Sequence, residues 1–228
     1  MIYLLDNISY DDIDLSFGLK LLENDRLKKA MKYKFHKDRV NSVLAWSLLK
    51  FGLFNEYQMV TVPDTICNGY GKPYFSNQNL FFNLSHSDSV VGCALSRFNI
   101  GFDVQTNINN LGAIKSVFNQ GELNNICCQQ CPIIEATRLW TLKEAYGKYY
   151  GNGLNYNLKH FNASTISKNS WQNYDYQKVF SSSKSTYSYS VFSEQEEAFY
   201  YVTWDELKHF YQQLLNNQWE KENTNEFY

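Results

Sequence analysis

Two hydrophobic periods follow one another in the first hundred residues, and the same succession returns in the second. Leu19, Leu22, Leu27 and Met31, then Val40, Val43, Leu44 and Leu48, recur at spacings of three and four. That is the period of a helix with one buried face, and it predicts two helices broken near His36. "NLFFNLSHS", "VVGCALS" and "NIGFDVQ" then read as short strands, bounded by Ser, Asn and Gly. "MIYLL" is a strand at the start, and "GYGKP" at 69–73 is a turn. After residue 107, "NQGELNNICCQ" and "PIIEATRLWTLKEAYGKYYG" read as helices. Pro132 suits a first helical turn, and Gly151 or Gly153 a stop. Residues 160–185 read as loop or irregular strand, and "STYSYSVF" with "EAFYYVTW" as a hairpin. Thr203 and Glu206 form a capping box for a last helix, "DELKHFYQQLLNN", with a fraying tail after Trp219. Helices then antiparallel-type strands, twice over, predict an α+β fold of two similar halves, 1–106 and 107–228.

Composition narrows the function. The chain has 228 residues and a formal net charge of −2. That length suffices for a sizeable core, and the even balance speaks against a general nucleic-acid or anionic-membrane binder. No apolar run reaches membrane-spanning length, and "MIYLLDNISYDDIDL" lacks a basic leader. Five cysteines, an odd number, argue against a disulfide framework. The expectation is a cytoplasmic protein with reduced thiols.

Five stretches could carry chemistry. In "LWTLKEAYGKYYG", Trp140, Glu144 and Lys148 share one helix face, with Lys143 beside it. They make either an i,i+4 surface ion pair or a charged face aimed at a ligand. Asp103 in "IGFDVQ" points away from Phe102 and Val104. It is either an Asp on the wet face of a sheet or a carboxylate ligand for Mg²⁺, which prefers hard oxygen donors. "NLSHS" is strand punctuation or a phosphate site built from short polar donors; Ser85 and His86 point apart on a strand, which speaks against a nucleophile–base pair. "GYGKP" lacks phosphate-loop spacing. Cys128 and Cys131 form a CxxC without a second pair, so no structural zinc is read there.

Taken in order, "GKP", "FNLSHS", "GFDVQ" and "WTLKEAYGK" resemble the signature of the 4′-phosphopantetheinyl transferases, in particular the two-halved monomeric type that activates synthetases such as surfactin synthetase. The resemblance covers roughly residues 25–155. It implies two halves related by pseudo-two-fold symmetry, with coenzyme A and Mg²⁺ in the cleft between them. The implied reaction moves 4′-phosphopantetheine to a serine of an acyl or peptidyl carrier protein and releases adenosine 3′,5′-bisphosphate. Asp103 and Glu144 would then hold Mg²⁺, and Glu144 would deprotonate the serine. Lys148 and Lys143 would neutralise phosphate charge, and Trp140 would anchor the helix. Ser85 and His86 would bind phosphate oxygens, and Lys72 would border the adenine pocket. Lys28, Lys29 and Lys32 match the 3′-phosphate lysines, Lys29 best. Glu122 matches a frequent acid near the metal. The sequence departs from the family where a third acid would stand, at Gln105, whose amide oxygen would still face Mg²⁺ or its water, and where an Arg would stand, at Asn41, with Arg39 two residues away. Those departures are the support for a rival reading, a degenerate coenzyme A-binding protein.

Overall fold

The computed structural model describes residues 1–11, 13–20, 22–77, 79–151 and 158–224. The elements are β1 (Ile2–Leu5), α1 (Ser16–Lys20), α2 (Asn24–Met31), α3 (His36–Tyr57), β2 (Thr65–Cys67), β3 (Pro73–Phe75), β4 (Phe81–Ser87), β5 (Val90–Ser96) and β6 (Ile100–Thr106). They continue with α4 (Gln120–Cys127), α5 (Pro132–Tyr150), β7 (Gln172–Tyr174), β8 (Gln177–Ser183), β9 (Tyr187–Ser193), β10 (Phe199–Tyr201) and α6 (Trp204–Thr224).

Two four-stranded sheets result, ordered β10-β1-β5-β4 and β6-β9-β8-β7, with β2-β3 as a separate hairpin. Each sheet is built around the same path: a first strand, a long helix, then an antiparallel pair whose second strand inserts beside the first. The paths are β1-α3-β4-β5 and β6-α5-β8-β9. Both long helices are buried on nearly every side. Every residue of α3 from Val40 to Leu53 is buried, as expected of a helix covered by a sheet on one side and by other helices on the other. Three apolar layers follow. Leu44, Leu48, Phe82 and Leu95 lie under α3. Leu139, Leu142, Phe161 and Phe192 lie under α5. Ile2, Leu4, Phe102, Val104 and Val191 fill the space between the sheets.

The helical break before His36, the three strands at 81–106 and the stop at Gly151 follow the sequence reading. Gly151 sits at φ +74°, the left-handed conformation that glycine adopts without strain. The alternative stop, Gly153, lies outside the described residues. Thr203 and Glu206 cap α6 reciprocally: the Thr203 amide donates to Glu206 Oε2 at 2.7 Å, and the Glu206 amide to Thr203 Oγ1 at 3.2 Å.

Three expectations are corrected. Residues 177–183 form a regular strand, β8, because they pair with β9 from Lys178↔Ser193 to Ser183↔Ser188. The expected hairpin of β9 with β10 does not form; β10 runs parallel to β1 in the other sheet, Ile2 opposite Phe199. Helix α6 continues past Trp219 to Thr224. The packing also divides the chain differently from a cut at 106/107. Strand β6 belongs to the second sheet, while β10 joins the first, and Leu207, Phe210 and Tyr211 of α6 join the core under α3. Among the described residues no helix is long and apolar enough to cross a membrane.

Candidate active site

The site forms where the edge strands β4 and β6 meet beneath α5. Alternation along β4 sends Asn83, Ser85 and Ser87 to one side, and each accepts a hydrogen bond from a β6 backbone amide. Phe102 N donates to Asn83 Oδ1 at 2.8 Å, Val104 N to Ser85 Oγ at 3.3 Å, and Thr106 N to Ser87 Oγ at 3.1 Å. On its far side β6 presses against α5. A Cβ at Gly101 would overlap the Ala145 carbonyl oxygen and the Tyr149 backbone. Only glycine permits that approach, and it carries Asp103 up to the helix face that bears Glu144 and Lys148.

There Lys148 turns to the strand. Its ammonium donates to Asp103 Oδ1 at 2.6 Å and to Ser85 Oγ at 3.0 Å, and Ser85 Oγ donates to Asp103 Oδ1 at 2.7 Å. Lys148 thus closes on the strand carboxylate, and the surface pair with Glu144 does not form. Asp103 is 5 % exposed, and its second oxygen, Oδ2, is buried without a partner, as is Oε1 of Glu144. Such orphaned oxygens are costly. Burial first and the Asp103 charge second push the Glu144 carboxyl up to about 7, with Lys148 opposing. The two free oxygens are hard donors suited to a divalent cation. Among the described residues no group of three or more His, Cys, Asp or Glu gathers for a metal, so the protein's share of such a site is two carboxylates. Gln105, two residues beyond Asp103, donates its amide to Ser87 Oγ at 2.8 Å.

The opposite face of β4 looks into a cleft of about 560 Å³ between α2, α3 and the β2–β3 hairpin. Ser85 and His86 point apart, as the strand reading expects, and only one of them reaches the cleft: Ser85 faces Asp103, and His86 lines the cleft. The cleft walls and the Lys148 ammonium hold His86 below its ordinary pKa. Lys29 and Arg26 line the same cleft. Arg26 was missed by the motif reading. Its guanidinium lies 4.9 Å from the Trp46 ring centroid and donates to Ser42 Oγ at 2.8 Å, while its Nε is buried and unpartnered. The available signal was spacing: Arg26, Lys29 and Tyr33 fall three and four apart, on one helical face.

Other expected ligands are engaged elsewhere. Lys143 is fully buried; its ammonium pairs with Glu122 Oε1 at 2.8 Å and donates to the Leu158 and Phe161 carbonyls, both at 2.7 Å. Glu122 is equally buried and also accepts from the amides of Asn119 at 2.8 Å and Ala163 at 2.7 Å. Both belong to the packing beneath α5 and stand apart from the carboxylate pair. Lys72 donates to the Lys148 carbonyl at 2.6 Å and the Ile100 carbonyl at 3.1 Å, tying the hairpin to the two site-bearing elements. Burial first and Lys148 second lower its pKa to about 8. Asn41 is held by Tyr10 Oη at 3.2 Å and the Asp88 carbonyl at 3.1 Å. Arg39 donates to the Tyr33 carbonyl at 2.7 Å, and Lys28 pairs with Asp25 at 3.6 Å on the surface. Neither Lys28 nor Lys32 lines the cleft. Trp140 packs, half-buried, against the core under α5.

The family model of the 4′-phosphopantetheinyl transferase superfamily matches residues 99–204, which hold β6, α5 and both site carboxylates. This part of the chain is similar to members of that superfamily. The resemblance read from the motifs is borne out. Three curated relatives match as well. An L-aminoadipate-semialdehyde dehydrogenase-phosphopantetheinyl transferase of Candida glabrata is 27 % identical over 71 % of this chain and 67 % of its own length. A 4′-phosphopantetheinyl transferase of Aneurinibacillus migulanus is 28 % identical over 58 % of this chain and 57 % of its own. A Saccharomyces cerevisiae protein named like the first is 29 % identical over 43 % of this chain and 41 % of its own. The chain thus spans between two fifths and two thirds of the superfamily relatives it matches.

Proposed function

We propose that the chain is a 4′-phosphopantetheinyl transferase, moving 4′-phosphopantetheine from coenzyme A to a serine of an acyl or peptidyl carrier protein and releasing adenosine 3′,5′-bisphosphate. The observation that carries this reading is the pair of unpartnered carboxylate oxygens, Asp103 Oδ2 and Glu144 Oε1, set beside Lys148 and next to a cleft lined by Arg26 and Lys29 along with Glu23, Asp25 and Asp64.

In this reading the cleft takes the nucleotide end of coenzyme A. Arg26 and Lys29 meet its phosphate charge, and His86 offers an imidazole donor from β4. Asp103 and Glu144 would hold Mg²⁺, which neutralises pyrophosphate charge when bound. The Glu144 carboxylate takes the proton of the serine hydroxyl. The serine oxygen bonds to the phosphorus that carries the pantetheine arm, and the bond from that phosphorus to the bridging oxygen breaks. Lys148 exchanges Asp103 for the leaving phosphate and stabilises its growing charge. The repeated path of the two sheets supports the pseudo-two-fold reading of the halves. A complete site in one chain supports a monomer, and the free thiols support a cytoplasmic location. The rival, a coenzyme A binder without turnover, draws on Asn41 and Gln105, whose side chains already have protein partners.

The test is mass spectrometry of a purified apo carrier protein incubated with this chain, coenzyme A and Mg²⁺. A gain of one phosphopantetheine that disappears with Glu144→Gln and with chelator is expected. Tight coenzyme A binding without any gain on several unrelated carriers selects the binder instead.

A further inference from the structure

The connection from α2 into α3 exposes what a soluble surface ordinarily hides. Met31 is 50 %, Tyr33 37 % and Phe35 59 % exposed. Met31 falls on the apolar repeat of its helix, yet it ends outside the core. Phe35 holds the N-cap position of α3, at φ −90° and ψ 142°, and makes no side-chain cap bond. Ser, Thr, Asp and Asn are favoured at such a position, so Phe35 serves neither the helix nor the core.

These side chains are interleaved with charge of one sign. Lys28, Lys29, Lys32, Lys34 and Lys37 fall within ten residues that contain no acid; Lys28 pairs with Asp25 and Lys37 with Asp88 from outside the stretch, and Lys29 lines the cleft, which leaves Lys32 and Lys34 to meet a partner. The Lys34 ammonium lies 5.7 Å from the Phe35 ring centroid. The stretch also borders the site along its length. Tyr33 lines the cleft at one end. At the other end Lys37 bonds Asp88 Oδ1 at 3.0 Å, and Asp88 Oδ2 accepts from Thr106 Oγ1 at 3.3 Å, three residues past Asp103 on the same strand.

We infer that residues 31–37 are the docking surface for the protein acceptor, seating a helix that presents acidic and apolar side chains on one face. This rests on the transferase reading, which requires a protein bearing the acceptor serine to dock beside the site. Lysines select the acidic partner. The apolar knobs select a folded protein face over a bare polyanion, which would meet the charge and leave Phe35 and Met31 wet.

Lys34→Glu and Phe35→Ser test the assignment, since neither residue touches the cleft or the carboxylates. The probe is a recombinant apo acyl carrier protein with Asp and Glu on the helix after its serine. The expected result is a rise of tenfold or more in the carrier KM for each variant, with kcat and the coenzyme A Kd within twofold of the unchanged protein. The Lys34→Glu defect should shrink when a facing carrier Glu is changed to Lys. The melting temperature of Phe35→Ser should hold or rise, because Ser supplies the missing cap; that separates lost docking from lost folding. A carrier KM that stays within twofold overturns the inference while leaving the transferase reading intact. So does a fall in coenzyme A affinity at constant KM, which would assign the stretch to the cleft. Binding to vesicles of 30 % phosphatidylserine that Phe35→Ser abolishes, with carrier KM unmoved, would assign it to a membrane instead. Absence of transfer by the unchanged protein removes both readings together.

Discussion

Glu144 should make the protein less stable as pH rises, and Glu144→Gln should abolish that loss. The folded carboxyl is pushed from its ordinary 4.5 up to about 7, chiefly through burial and then through Asp103. Between those two values the native state binds the proton that the unfolded chain has released. Stability therefore falls as pH climbs from 4.5 through 7, and the cost is complete above it. A shift of that size corresponds to about 3 kcal/mol. Gln has the same shape and does not titrate. The amide introduces an offset of its own, but that offset is constant, so the pH-dependent part belongs to Glu144. Urea unfolding of both proteins at pH 5, 6, 7 and 8, with chelator present, measures it. The difference in unfolding free energy should grow by about 2.5 kcal/mol between pH 5 and pH 8, roughly 1 M in midpoint for a chain of this size. A difference that stays flat to within about 0.5 kcal/mol would refute the buried, unpartnered geometry of Glu144. Magnesium should flatten the curve if Glu144 is a ligand.

Lys143→Met should destabilise the protein by about 3–5 kcal/mol by leaving Glu122 buried and uncompensated, with coenzyme A affinity by calorimetry unchanged; weaker coenzyme A binding at normal stability would return Lys143 to the phosphate. Ser85→Ala removes an acceptor for the Val104 amide and a donor to Asp103, and should cost about 1–3 kcal/mol in chemical denaturation; a neutral result would mean the β4–β6 junction is not needed for stability. Arg26→Met should raise the coenzyme A Kd about tenfold, equivalent to ~1.4 kcal/mol, and an unchanged Kd would exclude Arg26 from the nucleotide site.

The helices, the strands and the two carboxylates were legible because each has a local cause. Period 3.6 marked α3, Pro132 and Gly151 bounded α5, and period 2 aimed Asp103 away from its apolar neighbours. The misreadings share one source, which is that sequence order does not specify which strand finds which. Strand β9 looked like a partner for β10 because the two are adjacent in sequence, whereas β10 pairs with β1, almost two hundred residues away. Lys143 looked like a second phosphate lysine because it is one position from Glu144. One position on a helix is a rotation of about 100°, enough to turn it from the site face to the core and to Glu122. Ser85 and His86 do point apart, as period 2 requires, but the motif gave no sign that only His86 would reach the cleft. Phe35 and Met31 could not be recognised as surface residues, since an apolar side chain in a sequence carries no sign of whether the fold covers it.

The junction of β4 with β6 does more than hold the sheets together. Where two strands pair by backbone alone, a slide by two residues restores every hydrogen bond, and the ladder does not record that it has moved. Here three particular side chains, Asn83, Ser85 and Ser87, meet three particular amides, and the middle one also meets Asp103. A slide by one residue would present Phe82, Leu84 and His86 to those amides, and a slide by two would take Ser85 away from the carboxylate. The junction thus works as an alignment key. The side chains that set how one sheet lies on the other also set where the carboxylate stands before Lys148, so a chain that misaligned its sheets would misplace its chemistry in the same movement.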